Sequence, residues 1–497
     1  MKCVNKGEQL SVLALDLGAS SGRAIVGTYS RVRGLQLTEV HRFDNGPKAG
    51  TNPMQWDYDM LLDNIIAGIH EASAKFDLES IGVDTWGVDY GLLDEEGNLL
   101  SYPVHYRDAR TDGVTSRLAR EGKLDGLYAI TGTQQMDINT LMQIIASRDD
   151  MGQSVDDAHC ALLMPDLLIY SLTGSKATEI SIASTTQLMD ARSGMWSAEV
   201  FGRFGIRESL FPPIVAEGQP AGMLKDGVAG LQVPVVRVCE HDTASAVASL
   251  ALTDEDLFVS CGTWSLVGVK CMEPVLTDEA EALNFTNERG DGSSTLLLKN
   301  CTGLWIAQEL RRNLIEQHGD APGWIEIAAL AYNAAPYSHL IDTNDPSLEK
   351  PGNMLERING LLLKTGQEPI EPNDIGSMYR CIYESLALQY VMAKAELEGL
   401  LGKRLRSIHL IGGGAQNRFI CQSVANVARC PVQAGPFEAT AVGNILVQLV
   451  STGLFGSVDE ARDAVADSLE HVDYEPKEPI SAEVLDRYRY LIGMKKC

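Results

Sequence analysis

The sequence predicts an α/β protein of two units, each opened by a β-hairpin. Three observations carry this. Residues 10–17 are an apolar run that breaks at Gly18-Ala19-Ser20-Ser21-Gly22 and resumes at 23–29, the pattern of two strands around a glycine-bounded turn. Residues 257–269, LFVSCGTWSLVGV, repeat the device around a Cys-Gly-Thr turn. At 497 residues the chain also exceeds the ~250–300 at which single cores stop growing.

The remaining elements follow in order. Residues 57–75 place Leu61, Leu62, Ile65, Ile66 and Ile69 at helical spacing, and 80–93 return to strand character. The switch between units is expected at 234–240, where a strand over 235–238 follows the turn-rich stretch 211–230, which divides the chain into 1–236 and 237–497. After the second hairpin come a strand at 295–298, a helix from 302 to about 315 and a long amphipathic helix over 375–401. A strand at 407–411, a loop opening Gly412-Gly413-Gly414 and a helix over 418–428 complete the second unit. This alternation implies layered α/β units, and we expect a two-lobed body with a cleft.

Composition narrows the function. Hydrophobic residues at 45% and charged residues at 22% describe a globular protein with a large core. The net charge of −26 disfavours approach to nucleic acid and to anionic membranes. Ten cysteines are scattered without a C-x-x-C, the thiol usage of a reducing compartment, and nine histidines form no zinc pattern. Any metal should therefore be hard and oxygen-bound. Glu8 and Asp16 bracket an apolar run no longer than the short end of a leader's ~7–15-residue core, so no leader peptide is expected. Residues 439–458 are uncharged but carry Thr440, Asn444, Gln448, Ser451 and Thr452, which suits a buried helix better than a membrane span. The expected location is the cytoplasm, and the oligomeric state stays open.

The first turn, from Asp16 through Ala19, Ser20, Ser21 and Gly22 to Arg23, offers backbone N–H groups, hydroxyls and a cation, which suits polyphosphate. Asp16, ending a buried strand, is placed to hold the water shell of Mg²⁺. A plain glycine hairpin is the alternative, and for the glycines alone it is favoured; Gly262-Thr263 in the second hairpin shifts the balance. The Gly412-Gly413-Gly414 loop between strand and helix fits a nucleotide site but equally a tight turn.

Nine strings carry a resemblance: LALDLGASSGR (13–23), NGP…WD (45–57), GVDTWGVDYGLLD (82–94), HYRDART (105–111), STTQLMD (184–190), EHDTASAV (240–247), SCGTWSLVG (260–268), KNCTGLWIAQELRR (299–312) and LIGGGAQN (410–417). The strings fall between 13 and 417, and over 10 to about 454 the chain resembles the FGGY carbohydrate kinases. The resemblance implies two ribonuclease H-like domains, of the actin, hexokinase and heat-shock ATPase type, around a cleft, with ATP and Mg²⁺ as cofactors. GVDTWGVD and HDTASAV are most similar to the subgroup whose sugar is L-rhamnulose, phosphorylated on O1. Another ketose, such as L-fuculose or L-xylulose, is the alternative substrate. A chaperone-like ATPase or a non-catalytic sugar sensor is the alternative class.

By the same resemblance the catalytic base falls on Asp242, at the start of a helix near Thr243, where free N–H groups favour a carboxylate; by itself it reads as an N-cap. Many family members carry glycines just before this aspartate, whereas this chain has Glu240-His241. His241 matches the L-rhamnulose subgroup and is implied to meet a sugar hydroxyl; Glu240 has no assignment. Gly87, His241, Asp242, Thr243 and Asn300 are implied to touch sugar. Thr263 is implied to touch phosphate, and Gln308 and Gly413 the nucleotide. Trp86, Tyr90 and Tyr106 read either as a wall for the sugar methyl group or as core packing.

Overall fold

Leu10–Leu17 (β1) is apolar at nearly every position because both of its faces are covered. Leu13, Leu15 and Leu17 share a core with Leu61, Ile65 and Ile69 of the helix Tyr58–Ser73 (α1). Leu10, Val12 and Ala14 pack with Ala441, Val442, Ile445 and Leu449 of the helix Ala439–Ser451. Strand period two sorts the sets onto opposite faces. The structure, a computed structural model, describes residues 9–150, 155–228 and 230–493; residues 1–8, where the leader expectation partly rests, lie outside them.

In the first unit β1 pairs antiparallel with Ser21–Ser30 (β2), which pairs antiparallel with Gly34–Asp44 (β3). On its other edge β1 runs parallel to Leu78–Thr85 (β4). Pro220–Met223 (β5) and Pro234–Val236 (β6) complete the order β5-β6-β4-β1-β2-β3. The helix Asp242–Ala248 (α2) follows β6.

In the second unit the hairpin Asp256–Cys261 (β7) and Trp264–Cys271 (β8) is flanked by Thr295–Thr302 (β9) beside β8 and Ser407–Ile411 (β10) beside β7. Val432–Ala434 (β11) and Val472–Tyr474 (β12) extend the sheet beyond β10. Trp305–His318 (α3), Ile375–Leu401 (α4) and Arg418–Ala428 (α5) are its principal helices.

Two expectations shift. The first unit runs through Ala251, past the switch read at 236, and regains Lys270–Leu297 and Glu438–Leu469; the reason is α2, whose backbone lies against the helix Ala439–Ser451. Asn300, expected just ahead of a helix, lies within β9. Helix α3 starts later, at Trp305, because Gly303 N and Leu304 N donate to Thr263 O and Gly262 O at 3.2 and 2.8 Å instead of entering a helical turn. The eight described cysteines are free thiols. No helix among the described residues is long and apolar enough to cross a membrane. The first part of the uncharged segment is the largely buried helix Ala439–Ser451, where Gln448 donates to Leu13 O at 3.0 Å and accepts from Ser80 Oγ at 2.7 Å.

Candidate active site

Parallel pairing assembles the acidic centre. Asp16 at the end of β1 sits in register with Asp84 near the end of β4, and Thr85 bridges in parallel to His241, which precedes Asp242. Three aspartates thus stand at the carboxyl ends of neighbouring strands, the usual ligand edge of a parallel sheet. Asp84 is fully buried; its Oδ2 accepts from Asn444 Nδ2 at 2.6 Å, while Oδ1 has no partner among the described residues. Burial, and then the charge of Asp16, push the Asp84 carboxyl well above its ordinary range. Asp84, unassigned in the sequence, is a member of this centre.

Arg23 was read as a phosphate donor. Its Nη2 instead donates to Asp16 Oδ2 at 2.6 Å and its Nη1 to Glu438 Oε2, so the guanidinium fixes Asp16 and neutralises part of the acidic row. Among the described residues no three His, Cys, Asp or Glu side chains form a metal cage. Mg²⁺ keeps several waters and takes few carboxylates, and Asp16 with the unpartnered Asp84 oxygen offers donors that fit such a hydrated ion.

Asp242 opens α2 as its first helical residue, with His241 as the cap. Thr243 Oγ1 donates to Asp242 Oδ1 at 3.1 Å, and His241 Nε2 lies 3.5 Å from the same oxygen. The helix terminus favours the anion, yet burial and the Asp16 charge together raise the Asp242 carboxyl, with His241 opposing them. A raised carboxylate is a stronger proton acceptor.

The turn closes with Gly18 N donating to Ser21 O at 2.9 Å, leaving Ser20 exposed and Ala19 and Ser21 half-buried. Gly22 is the second residue of β2. In the structure a Cβ there would lie 2.1 Å from Phe43 Cζ, on β3. Gly22→Ala is therefore expected to lower the melting temperature rather than raise the ATP KM alone; a selective KM effect with unchanged melting would restore the phosphate explanation.

In the second unit the β7–β8 turn is tied to the entry of α3: Thr263 O accepts from both Gly303 N and Trp305 N at 3.2 Å. Gly413, exposed in the glycine loop, has Leu304 at the edge of its reach, 4.0 Å from a built Cβ. Exposed Gln308 lies on the first turn of α3. The turn, the helix entry and the glycine loop are neighbours, as a nucleotide site requires.

Gly87, half-buried, follows β4, and Thr185 Cγ2 is 3.0 Å from the place of its Cβ. Trp86 and Tyr106 share the core with Trp56, whereas Tyr90 belongs to a separate core, so the three aromatics do not form one wall. Trp56, which the sequence did not single out, stacks on His105 with centroids 4.1 Å apart. Both indoles donate to buried Asp89, Trp56 at 2.6 Å and Trp86 at 3.0 Å. Burial raises Asp89 to about 6 against these bonds.

One hairpin-led α/β unit thus carries three carboxylates at the ends of its strands, and the other a glycine loop beside a hairpin turn. The chain belongs to the FGGY family of carbohydrate kinases: the profile of that family's N-terminal domain matches residues 11–249 and that of its C-terminal domain residues 257–452. Among curated relatives it is similar to the rhamnulokinase of Halalkalibacterium halodurans, 36% identical over 92% of this chain and 97% of that one. The rhamnulokinase of Bacteroides thetaiotaomicron is 37% identical over 94% and 96%. Among solved structures, gluconate kinase from Lactobacillus acidophilus matches with a TM-score of 0.77 at 15% identity, covering 98% of this chain and 96% of that one. Plasmodium falciparum glycerol kinase with ADP matches at 0.75, with 15% identity and 98% and 97% coverage. At such identities the structures speak for the fold.

Proposed function

We propose that this chain transfers the γ-phosphoryl group of ATP to O1 of L-rhamnulose, giving L-rhamnulose 1-phosphate and ADP. The observation that carries the reading is near full-length similarity to rhamnulokinases at 34–37% identity. Asp242 takes the O1 proton as O1 bonds to phosphorus and the β,γ-bridging oxygen leaves with ADP. The transition state is loose, so most of the work is positioning and charge neutralisation. Asp16, with Asp84 beside it, would hold a hydrated Mg²⁺, which supplies neutralisation of the phosphate charge. We assign phosphate contacts to residues 19–22 and Thr263, nucleotide contacts to Gln308 and Gly413, and sugar contacts to Gly87, His241, Thr243 and Asn300. The eight free thiols suit a reducing, cytoplasmic location.

A coupled ADP-release assay over a panel of ketoses tests this. The largest kcat/KM is expected with L-rhamnulose, with measurable side activity on L-fuculose or L-xylulose, because one methyl group discriminates by only ~1–3 kcal/mol. Sugar-free ATP hydrolysis should be slow, since water is then neither aligned nor excluded. An ATPase rate indifferent to every carbohydrate would discard the kinase reading in favour of a chaperone-like ATPase.

A further inference from the structure

His241 and Glu288 form a buried pair, of which the reaction scheme leaves Glu288 without a role. His241 Nδ1 lies 3.2 Å from Glu288 Oε2, with side chains 9% and 7% exposed. Neither atom has a hydrogen-bond partner among the described residues, so the approach is an ion pair between two otherwise unsatisfied buried atoms. The other ring nitrogen, Nε2, is the one 3.5 Å from Asp242 Oδ1. One imidazole therefore stands between Glu288 and the base.

Both sides of the pair are clamped. Glu288 sits in the short strand Thr286–Arg289. Its neighbours fasten that strand to the first unit: Asn287 N donates to Gly132 O at 2.8 Å, Arg289 N to Ser184 Oγ at 2.9 Å and Arg289 Nη2 to Ala191 O at 2.7 Å. Across from it, His241 N donates to Ser181 Oγ at 3.1 Å and Glu240 N to Glu179 Oε2 at 3.0 Å, while Thr85 N donates to Glu240 O at 2.9 Å. Glu240, which had no assignment, thus helps by its backbone to hold the approach to Asp242.

We propose that Glu288 is a positioning residue for phosphoryl transfer: its carboxylate holds the His241 ring so that Nε2 faces Asp242 and the acceptor hydroxyl. The ionisable groups facing His241 are Glu288, Asp242 and Glu179, all acidic. Burial alone would depress the imidazole; these three charges outweigh it and raise its pKa. That shift favours the protonated ring, whose Nδ1 side faces Glu288 and whose Nε2 side faces the reacting end. A positive ring there also steadies Asp242 as the anion that accepts the proton.

The inference rests on Asp242 being the base, and the test separates the two. The full-length chain is compared with Glu288→Gln, which keeps shape without charge, with Glu288→Asp, with His241→Gln and with the Glu288→Gln/His241→Gln double variant. Glu288→Gln should lower kcat toward the ~100-fold loss that a ~1 Å misplacement causes, with the ATP KM within about twofold of wild type. Its His241 pKa, followed by ¹⁵N-histidine NMR, should fall. Because the protonated ring is the working form, the basic limb of kcat/KM for the sugar should move to lower pH. Glu288→Asp should recover part of both. In the His241→Gln background, Glu288→Gln should cost little more. An unmoved His241 pKa, or an undiminished cost of Glu288→Gln without His241, overturns the proposal. The NMR arm reads the pair even if no ketose stimulates the wild type, an outcome that would overturn the kinase reading instead.

Discussion

Asp242→Asn is expected to retain ATP and sugar binding while turnover falls at least ~100-fold, the scale of losing a general base. Asparagine keeps the shape and a carbonyl oxygen able to accept from Thr243 Oγ1, as Asp242 Oδ1 does at 3.1 Å. The opening of α2 should therefore survive and the melting temperature should barely move. What disappears is the carboxylate's ability to accept a proton. The pH profile adds a second readout. Burial and Asp16 hold the Asp242 carboxyl above its ordinary value, and the deprotonated form is the working one. Wild-type kcat should thus rise with pH through that raised pKa, with its acid limb displaced upward from that of an ordinary aspartate. The variant should lack this limb. Turnover near wild type would leave Asp242 with a structural role at the helix start.

What sequence could reveal depended on how far apart the partners lie. The unbroken apolar run of β1 announced a strand covered on both sides, and the polar residues of 439–458 ruled against a membrane span before Asn444 and Gln448 were seen bonding beneath the sheet. Asp16 and Asp242 were legible because each ends or starts a recognisable element. Asp84 was not, although it stood inside a quoted string. Its part comes from parallel register with Asp16 and from Asn444, 360 residues away. Arg23 read as a free cation because nothing local predicts that Glu438 reaches it. The packing of Gly22 was hidden for the same reason: its tight neighbour, Phe43, belongs to the next strand. Local periodicity places elements, whereas close contacts between distant elements arise only once the sheet and its helices assemble.

The other large effect is expected at Gly443, far in sequence from every candidate catalytic group. A Cβ there would lie 1.7 Å from Ser245 O and 2.6 Å from Ser245 C. These are backbone atoms of α2, so no side chain can swing aside to make room. In a helix interior Gly→Ala ordinarily gains ~1 kcal/mol of propensity, and overpacking a core ordinarily costs ~1–3 kcal/mol. At this separation the steric cost wins, because α2 and the helix Ala439–Ser451 must part. Their parting would disturb Asp242 on one helix, and Asn444 with its bond to Asp84 on the other. Gly443→Ala should therefore lower both the denaturation midpoint and kcat. Gly360, in the helix Met354–Lys364 with open space where its Cβ would stand, is the control: the same substitution there should stabilise by ~0.4–1 kcal/mol. Chemical denaturation of the two variants beside wild type should give shifts of opposite sign. A Gly443→Ala protein as stable and active as wild type would mean that the two helices do not meet at Ser245.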